Sequence, residues 1–297
     1  MENILKATNI VKKYGDHVVL DNVCMNINKG DIYGFIGKNG AGKTTFMRVA
    51  LELTEKDSGD LYYYDNKSIK EVGLKIGSLI EAPGLFKNEN AYENLKRYCL
   101  LYGCDTSKNQ ELLDLVGLGD VGKRPVKNFS LGMRQRLGIA ISLLNDPELL
   151  ILDEPINGLD PEGIKLIRDL ILKLNKERGI TFLISSHLLD ELAKVVTKYG
   201  IINDGKLIEE ISAQDLQDKC KNKLIIETDN PSKTVEILKD ILANDEIKII
   251  DNKVEITSHI EESGMINKKL VDNGVIVNAI YPNLDSLEEY FMRKIGD

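Results

Sequence analysis

A glycine-rich segment near the N-terminus holds the residues best suited to binding a phosphate chain. It consists, in order, of Gly37, Lys38, Asn39, Gly40, Ala41, Gly42, Lys43, Thr44 and Thr45. A glycine, four residues and then Gly-Lys-Thr form a loop whose backbone N–H groups converge on phosphate oxygens. In such a loop Lys43 can reach the β- and γ-phosphates, and the Thr44 hydroxyl can bind Mg²⁺. The spacing therefore predicts a site for a nucleoside triphosphate and Mg²⁺.

The segments on either side of this loop have the patterns that such a loop requires. Residues 31–36, which are apolar after Asp31, are typical of a buried strand, and residues 45–53 carry apolar side chains at helical spacing. The N-terminus of a helix favours an anion, because its first N–H groups are unpaired and its dipole is positive there. We therefore expect strand, loop and helix in succession, with the phosphates at the start of the helix.

Two acidic residues end a second apolar run. Leu149–Leu152 is followed directly by Asp153 and Glu154. In open α/β sheets, ligands bind at the carboxyl ends of the strands. Asp153 can therefore hold Mg²⁺, directly or through water, because this ion prefers oxygen ligands. Glu154 is then placed to accept a proton from the water that attacks the γ-phosphate.

A third segment gives the chain a family resemblance. Residues 129–135 resemble the signature segment of ATP-binding cassette (ABC) ATPases, usually Leu-Ser-Gly-Gly-Gln. Ser130 and Gly132 stand at the serine and the second glycine of that segment, whereas Leu131 and Met133 depart from it. Because the phosphate loop, this segment and the acid pair occur in the family's order, the chain resembles an ABC ATPase.

Three further residues occupy positions that this resemblance assigns to the nucleotide site. Asp160 resembles the aspartate of the family's D-loop, and His187 resembles the switch histidine that contacts the γ-phosphate. Tyr14 resembles the aromatic residue on which adenine stacks. Other interpretations stay open for two candidates, because Tyr14 can be an ordinary edge-strand tyrosine and Ser130 can be a helix N-cap.

One position departs from the family in an informative way. Residues 76–84 correspond to the loop in which the family has a glutamine near Mg²⁺ and the attacking water, and Glu81 stands there instead. Together with the Ser-Leu-Gly-Met segment, this glutamate resembles the branch that exports peptide antibiotics such as bacitracin and lantibiotics. The resemblance makes Glu81 a candidate catalytic and metal-binding residue. The alternative is that Glu81 starts the Pro83-Gly84 turn and faces solvent.

The resemblance covers about residues 3–210 and implies a fold, an activity and partners. The expected fold class is α/β: a P-loop NTPase of ABC type with a mixed sheet core, an antiparallel β-subdomain and a helical subdomain. ATP and Mg²⁺ are the expected cofactors, and ATP hydrolysis coupled to transport is the expected activity. The expected partners are integral-membrane permease subunits and a second ABC ATPase, with each ATP between Lys43 of one copy and Ser130 of the other. A soluble or sensory ABC ATPase that does not drive transport stays open as the alternative.

Composition limits where the chain works and what it binds. Its 297 residues carry a net charge of −8, which argues against nucleic acid, because nucleic-acid binders carry a basic patch. No apolar run reaches the length of a membrane-spanning helix, and the N-terminus lacks the apolar stretch of a signal peptide. The four cysteines lack zinc-like clustering, as expected in a reducing compartment. We expect a cytoplasmic chain, peripheral to the inner face of the cell membrane through the permease.

The length and the pattern of elements predict two domains. Residues 1–220 contain all of the motifs, with a helical subdomain over about 85–145. Residues 221–297 follow the order β-α-β-β-α-β of a ferredoxin-like unit, and an amphipathic helix over 284–295 follows it. This small α+β domain contains no catalytic constellation. A regulatory or dimer-supporting role and a passive stabilising role are both compatible with it.

Overall fold

The structure, a computed structural model, describes residues 2–64, 67–220, 223–239, 242, 247–257, 259–283 and 287–296. The chain divides into two units. The first extends to Ala213 and includes the residues from Lys294 onward, and the second spans Gln214–Arg293. The expected domain boundary after residue 220 stays a prediction.

The first unit combines strands and helices in a βα alternation. Its strands are β1 (Asn3–Tyr14), β2 (His17–Asn28), β3 (Ile32–Ile36), β4 (Ser58–Tyr63), β5 (Ile76–Leu79), β6 (Leu149–Leu152), β7 (Thr181–Ser186), β8 (Lys198–Asn203) and β9 (Lys206–Ser212). Its helices are α1 (Lys43–Ala50), α2 (Ile69–Val72), α3 (Ala91–Tyr102), α4 (Asn109–Leu115), α5 (Leu131–Ser142), α6 (Pro161–Arg178) and α7 (Leu189–Leu192).

A six-stranded sheet forms the centre of this unit. Its order is β5-β6-β7-β3-β8-β9, with β9 antiparallel and the other pairs parallel. Every residue of β3, β6 and β7 is buried. Because a parallel sheet is covered on both faces, β3 and β6 are apolar throughout, and β7 is apolar in its centre, at residues 182–184. Ile36 lies opposite Ser186, and Leu152 opposite Ile184. The segments that follow β3, β6 and β7 therefore emerge at the same edge of the sheet.

A three-stranded antiparallel sheet, with the order β2-β1-β4, shares one hydrophobic core with the larger sheet. Leu20 and Met25 of β2 belong to this core, as do Phe35 of β3 and Phe46 of α1. The Phe35 and Phe46 rings meet edge to face, with centroids 5.4 Å apart. Helix α1, which follows the phosphate loop, is thus fixed by packing against both sheets.

Helices α3, α4 and α5 lie in the sequence between β5 and β6, where the helical subdomain was expected. Side-chain caps define where two of them begin: Asn90 accepts the Glu93 N–H in α3, and Ser130 accepts the Met133 N–H in α5. Each cap satisfies an N–H group that the helix itself leaves unpaired. The mixed sheet, the antiparallel sheet and the helical segment confirm the expected α/β class.

Some local predictions were wrong. Residues 76–79 were read as loop, but they form β5, whose Leu79 is buried and pairs with Leu152 of β6. The sequence also predicts a helix from His187 to Val196, but the helix is regular only over α7. At its start, the Ser186 hydroxyl accepts the Leu188 N–H and keeps residues 187 and 188 out of the helix. Helix α1 begins at Lys43 and ends at Ala50, whereas residues 45–53 were expected.

The second unit is a small α+β structure. Its elements, after α8 (Ala213–Lys219), are β10 (Lys223–Thr228), α9 (Pro231–Leu238), β11 (Ile247–Ile250), β12 (Lys253–Ile256), α10 (Ser263–Asp272), β13 (Val277–Asn283) and α11 (Leu287–Ile295). The sheet is antiparallel with the order β11-β12-β10-β13. Residues 240 and 241 of the expected first helix and 284–286 of the expected last helix lie outside the described residues. The sequence predicts Leu287, Tyr290, Phe291 and Ile295 on one face of the last helix; the last three are buried and Leu287 is half-buried.

No helix in the described part of the chain is both long enough and apolar enough to cross a membrane.

Candidate functional site

The loop between β3 and α1 has the backbone that a phosphate site requires. Gly42 has φ 107°, and a Cβ there would lie 2.9 Å from the Val19 carbonyl oxygen. Gly40 also has a positive φ, 84°. Only glycine adopts such conformations without strain. Since Gly42 is the N-cap of α1, no side chain covers the first N–H groups of that helix, and they remain available to an anion.

A cavity of about 190 Å³ lies against this loop. It is lined by Asn39, Gly40, Gly42, Lys43, Thr44, Thr45 and Glu154. The other predicted loop residues, Gly37, Lys38 and Ala41, shape the loop without lining the cavity. The Ala41 N–H donates to the Lys38 carbonyl, and the Lys38 side chain donates to the Gly296 carbonyl at 2.8 Å.

Lys43 places a cation against this cavity while only 6% of it is exposed. Its ammonium donates to the carbonyl oxygens of Gly37 at 2.7 Å and Lys38 at 3.2 Å. It also lies 3.7 Å from Glu154 Oε1. Burial lowers the pKa of Lys43, and the neighbouring carboxylates of Glu154 and Asp153 oppose that shift. The loop carbonyls and Glu154 thus hold the ammonium group in place.

Asp153 is fixed by two hydroxyl groups at the end of β6. The Thr44 hydroxyl donates to Oδ2 at 2.7 Å, and the Ser185 hydroxyl donates to Oδ1 at 2.6 Å. The Ser185 oxygen also accepts the Glu154 N–H at 2.8 Å. Sequence reasoning missed Ser185. No motif marks it: it stands near the carboxyl end of the strand-like run before His187, and the sequence does not fix the strand register that brings it to Asp153.

The Thr44 and Asp153 oxygens fit a Mg²⁺ ion. A hydroxyl and a carboxylate oxygen 2.7 Å apart offer the hard ligands that this ion prefers, and Mg²⁺ usually keeps several waters and substrate phosphate oxygens besides one or two carboxylates. No group of three or more His, Cys, Asp or Glu side chains suited to a metal occurs among the described residues. A two-oxygen site beside a phosphate loop suits Mg²⁺ better than a metal that needs a full protein cage.

Glu154 lies between two basic side chains. Its Oε2 is 2.8 Å from Nδ1 of His187, and its Oε1 is 3.7 Å from the Lys43 ammonium. Its φ of 48° is uncommon for a residue other than glycine. The bend turns the chain directly after β6 and carries the carboxylate to the wall of the phosphate-loop cavity. The structure thus brings Lys43, Thr44, Asp153, Glu154 and His187 together.

The remaining predicted nucleotide residues do not line the phosphate-loop cavity. Ser130 and Asp160 are the N-caps of α5 and α6; the Asp160 side chain accepts the Gly163 N–H at 3.1 Å. Gly132 lies in the first turn of α5. The Tyr14 ring is 51% exposed at the end of β1, and the Lys12 ammonium lies 5.2 Å from its centroid. Within one chain, these four residues therefore lie outside the cavity that Lys43, Thr44 and Glu154 line.

Glu81, predicted as a catalytic and metal-binding residue, forms no hydrogen bond with Thr44 or Asp153 within the described part of the chain. Its Oε1 accepts a hydrogen bond from the Arg48 guanidinium at 2.6 Å, and its φ is 60°. It does line a second cavity, of about 660 Å³, together with Asp153 and Glu154. Arg48 is a second partner that sequence reasoning missed.

The sequence matches known proteins along its whole length. The ABC transporter family profile matches residues 20–157. The bacitracin transport ATP-binding protein BcrA of Bacillus licheniformis is 43% identical over 302 aligned residues, which cover 100% of this chain and 98% of that protein. The lantibiotic transport ATP-binding protein SrtF of Streptococcus pyogenes is 46% identical over 227 residues, which cover 75% of this chain and 99% of that protein.

A solved structure supports the same assignment. The crystal structure of the ADP conformation of an ATP-binding cassette of an ABC transporter superimposes with a TM-score of 0.65 at 27% identity. The match covers 73% of this chain and 95% of that one.

Proposed function

Because this chain belongs to the ABC transporter family as an ATP-binding subunit, we propose that it hydrolyses ATP to export a peptide antibiotic through a separate membrane permease. The observation that carries the proposal is the cluster at one sheet edge. There Thr44 bonds Asp153, and Glu154 lies within 3.7 Å of Lys43 and 2.8 Å of His187. The whole-length similarity to a bacitracin transport protein supports the choice of cargo.

We infer the role of each residue from its position. Phosphoryl transfer to water needs positioning and the neutralisation of charge on the γ-phosphate. Lys43 and the N–H groups at the start of α1 supply fixed positive charge. Mg²⁺ held by Thr44 and Asp153 would add charge neutralisation on the phosphate oxygens. Glu154 is placed to accept the proton of the attacking water, and His187, hydrogen-bonded to it, is placed to contact the γ-phosphate and report its loss.

We propose that a second cassette completes the site. Ser130 and Asp160 cap the starts of two long helices, and a helix N-terminus attracts anions, yet neither residue lines the phosphate-loop cavity of its own chain. In a head-to-tail pair, Ser130 and Gly132 of one copy would face the γ-phosphate held by Lys43 of the other. Tyr14 would stack on the adenine of the nucleotide in its own copy.

We propose that the cycle of pairing and separation moves a permease. The pair closes when ATP bridges two copies and opens after hydrolysis, so ATP shifts the population between two states of the assembly. The chain would then work at the inner face of the membrane, attached through the permease. A soluble or sensory ATPase is less favoured, because the relatives that match the full chain include transport ATP-binding proteins.

Resistance of cells tests the cargo. In cells that lack this chain but keep its permease, the parent chain should restore growth in bacitracin or a lantibiotic, and the Glu154→Gln variant should not. The minimal inhibitory concentration of each peptide is the measurement, with an antibiotic that acts inside the cell as the control. If deletion and restoration leave the inhibitory concentrations of both peptides unchanged, peptide-antibiotic export is wrong.

A further inference from the structure

Glu81 lines a cavity that is also lined by two other acidic residues. Asp153 and Glu154 line the same cavity of about 660 Å³. The backbone keeps Glu81 close to them, because the Asp153 N–H donates to the carbonyl of Leu79, two residues before Glu81, at 2.8 Å. Lys87, Lys127 and Arg134 line this cavity as well, but the cation that forms an ion pair with Glu81 comes from outside the lining.

Arg48 supplies that cation from the phosphate-loop helix. Its guanidinium lies 2.6 Å from Glu81 Oε1. Arg48 follows Thr44 by four residues on α1, so the two side chains lie on the same helix face. One face of α1 therefore contacts both acidic side chains. The Thr44 hydroxyl donates a hydrogen bond to Asp153, and Arg48 forms an ion pair with Glu81.

We propose that Arg48 is a positioning residue that holds the Glu81 carboxylate away from the phosphate and metal site until the nucleotide is bound. The proposal rests on the proposed ATP and Mg²⁺ site. Both partners are partly exposed, 38% for Arg48 and 61% for Glu81, and an exposed ion pair contributes little free energy. Such an ion pair is readily broken, so a Mg²⁺ ion held by Thr44 and Asp153 would attract the Glu81 carboxylate away from Arg48. The glutamine usual in the family is uncharged and would need no such partner.

Removing Arg48 should make nucleotide binding depend more strongly on Mg²⁺. In Arg48→Gln, the unpaired Glu81 adds a negative charge to the cavity, so ATP affinity without metal should fall by about three- to tenfold, whereas added Mg²⁺ should restore most of it. The measurement is the Kd of a fluorescent ATP analogue in EDTA and in Mg²⁺, and the informative quantity is the ratio of the two values. Arg48→Lys keeps the charge and should stay near the parent ratio.

A double variant separates positioning from a general structural effect. In a Glu81→Gln background, Arg48→Gln should leave the ratio unchanged, because no carboxylate remains to be held. Lys108→Gln is the matched control, since it breaks another exposed pair, Lys108–Asp146 at 2.6 Å, and should leave the ratio at the parent value.

Two results would overturn the proposal, and they differ in what else they overturn. If the parent binds ATP with the same Kd in EDTA and in Mg²⁺, the metal site fails and the positioning role fails with it. If the parent depends on Mg²⁺ but Arg48→Gln keeps the parent ratio, or changes it equally in the Glu81→Gln background, only the role of Arg48 fails. Thermal unfolding of each variant shows whether its fold is retained.

Discussion

Lys43 carries a positive charge on a side chain that is almost fully buried. Its ammonium bonds two loop carbonyls and faces Glu154, so the charge is in place before any phosphate arrives. Preorganised charge of this kind stabilises a bound anion without reorganisation. We therefore propose that this residue supplies affinity for the β- and γ-phosphates.

Replacing Lys43 by alanine should weaken ATP binding by about 2–3 kcal/mol, because charge-assisted hydrogen bonds to the phosphates are lost. Isothermal titration with ATP is the measurement. Lys75→Ala, which removes an exposed lysine paired with Glu148, is the control and should bind like the parent. Parent-like binding by Lys43→Ala would show that the loop does not hold the phosphates.

Substitutions of Tyr14 test whether the adenine base of the nucleotide stacks on its ring. Tyr14→Ala should weaken binding by about 1–3 kcal/mol, the usual contribution of a base stacked on an aromatic ring. The loss should be equal for ADP and ATP, since the ring does not contact the γ-phosphate, and Tyr14→Phe should keep most of the affinity. A loss confined to ATP would contradict stacking and favour an ordinary edge-strand tyrosine.

The residues of the site divide into those that sequence reasoning could find and those it could not. Lys43 and Asp153 follow from local patterns, a loop spacing and an acid at a strand end. Ser185 and Arg48 do not, because neither belongs to a motif and each acts through a partner that is distant in sequence. Their roles depend on strand register and on helix packing, which only the three-dimensional structure fixes.

At the scale of elements, the first residue of interest is Ser130 at the start of helix α5, which has one observed role and one proposed role. Ser130 caps the helix by accepting the Met133 N–H at 3.2 Å, and the same hydroxyl is the proposed contact with ATP in the second copy. A cap and an anion contact are compatible, because both use the exposed start of the helix. Substitutions can separate the two roles.

Ser130→Asp should retain the cap but prevent pairing of the cassettes. Aspartate caps as well as serine does, whereas alanine costs about 1 kcal/mol, so the melting temperature should fall for Ser130→Ala and not for Ser130→Asp. The added charge of aspartate should repel the γ-phosphate and block ATP-dependent dimers, measured by sedimentation in the Glu154→Gln background. An aspartate variant that dimerises normally would show that Ser130 is only a cap.

The elements also show why parts of the fold escaped prediction. Strand β5 is only four residues long, and its identity as a strand comes from pairing with β6, which local sequence does not reveal. By contrast, β3 and β6 were predictable, since burial on both faces favours an unbroken apolar run, and β7 was predictable from the apolar residues 182–184 at its centre. Predictions therefore succeeded where burial dominates the sequence pattern and failed where long-range pairing decides the structure.

At the scale of the molecule, one unit contains the chemistry and the other contains none that the sequence or the described residues reveal. The BcrA proteins of Bacillus licheniformis and Enterococcus faecalis align with the whole chain, including the second unit, whereas the alignment with SrtF covers 75% of it. A lantibiotic transport relative thus exists without an equivalent of the whole chain.

The mass of the Glu154→Gln variant with ATP tests the central claim most directly. An amide cannot accept the proton of the attacking water, so this variant should bind Mg²⁺-ATP, fail to hydrolyse it and accumulate as a pair of chains. Light scattering after size-exclusion chromatography should give twice the 33.3 kDa of one chain in ATP and a single chain in ADP. A variant that hydrolyses ATP at the parent rate and stays at 33.3 kDa in ATP would contradict both Glu154 as the base and the shared ATP site.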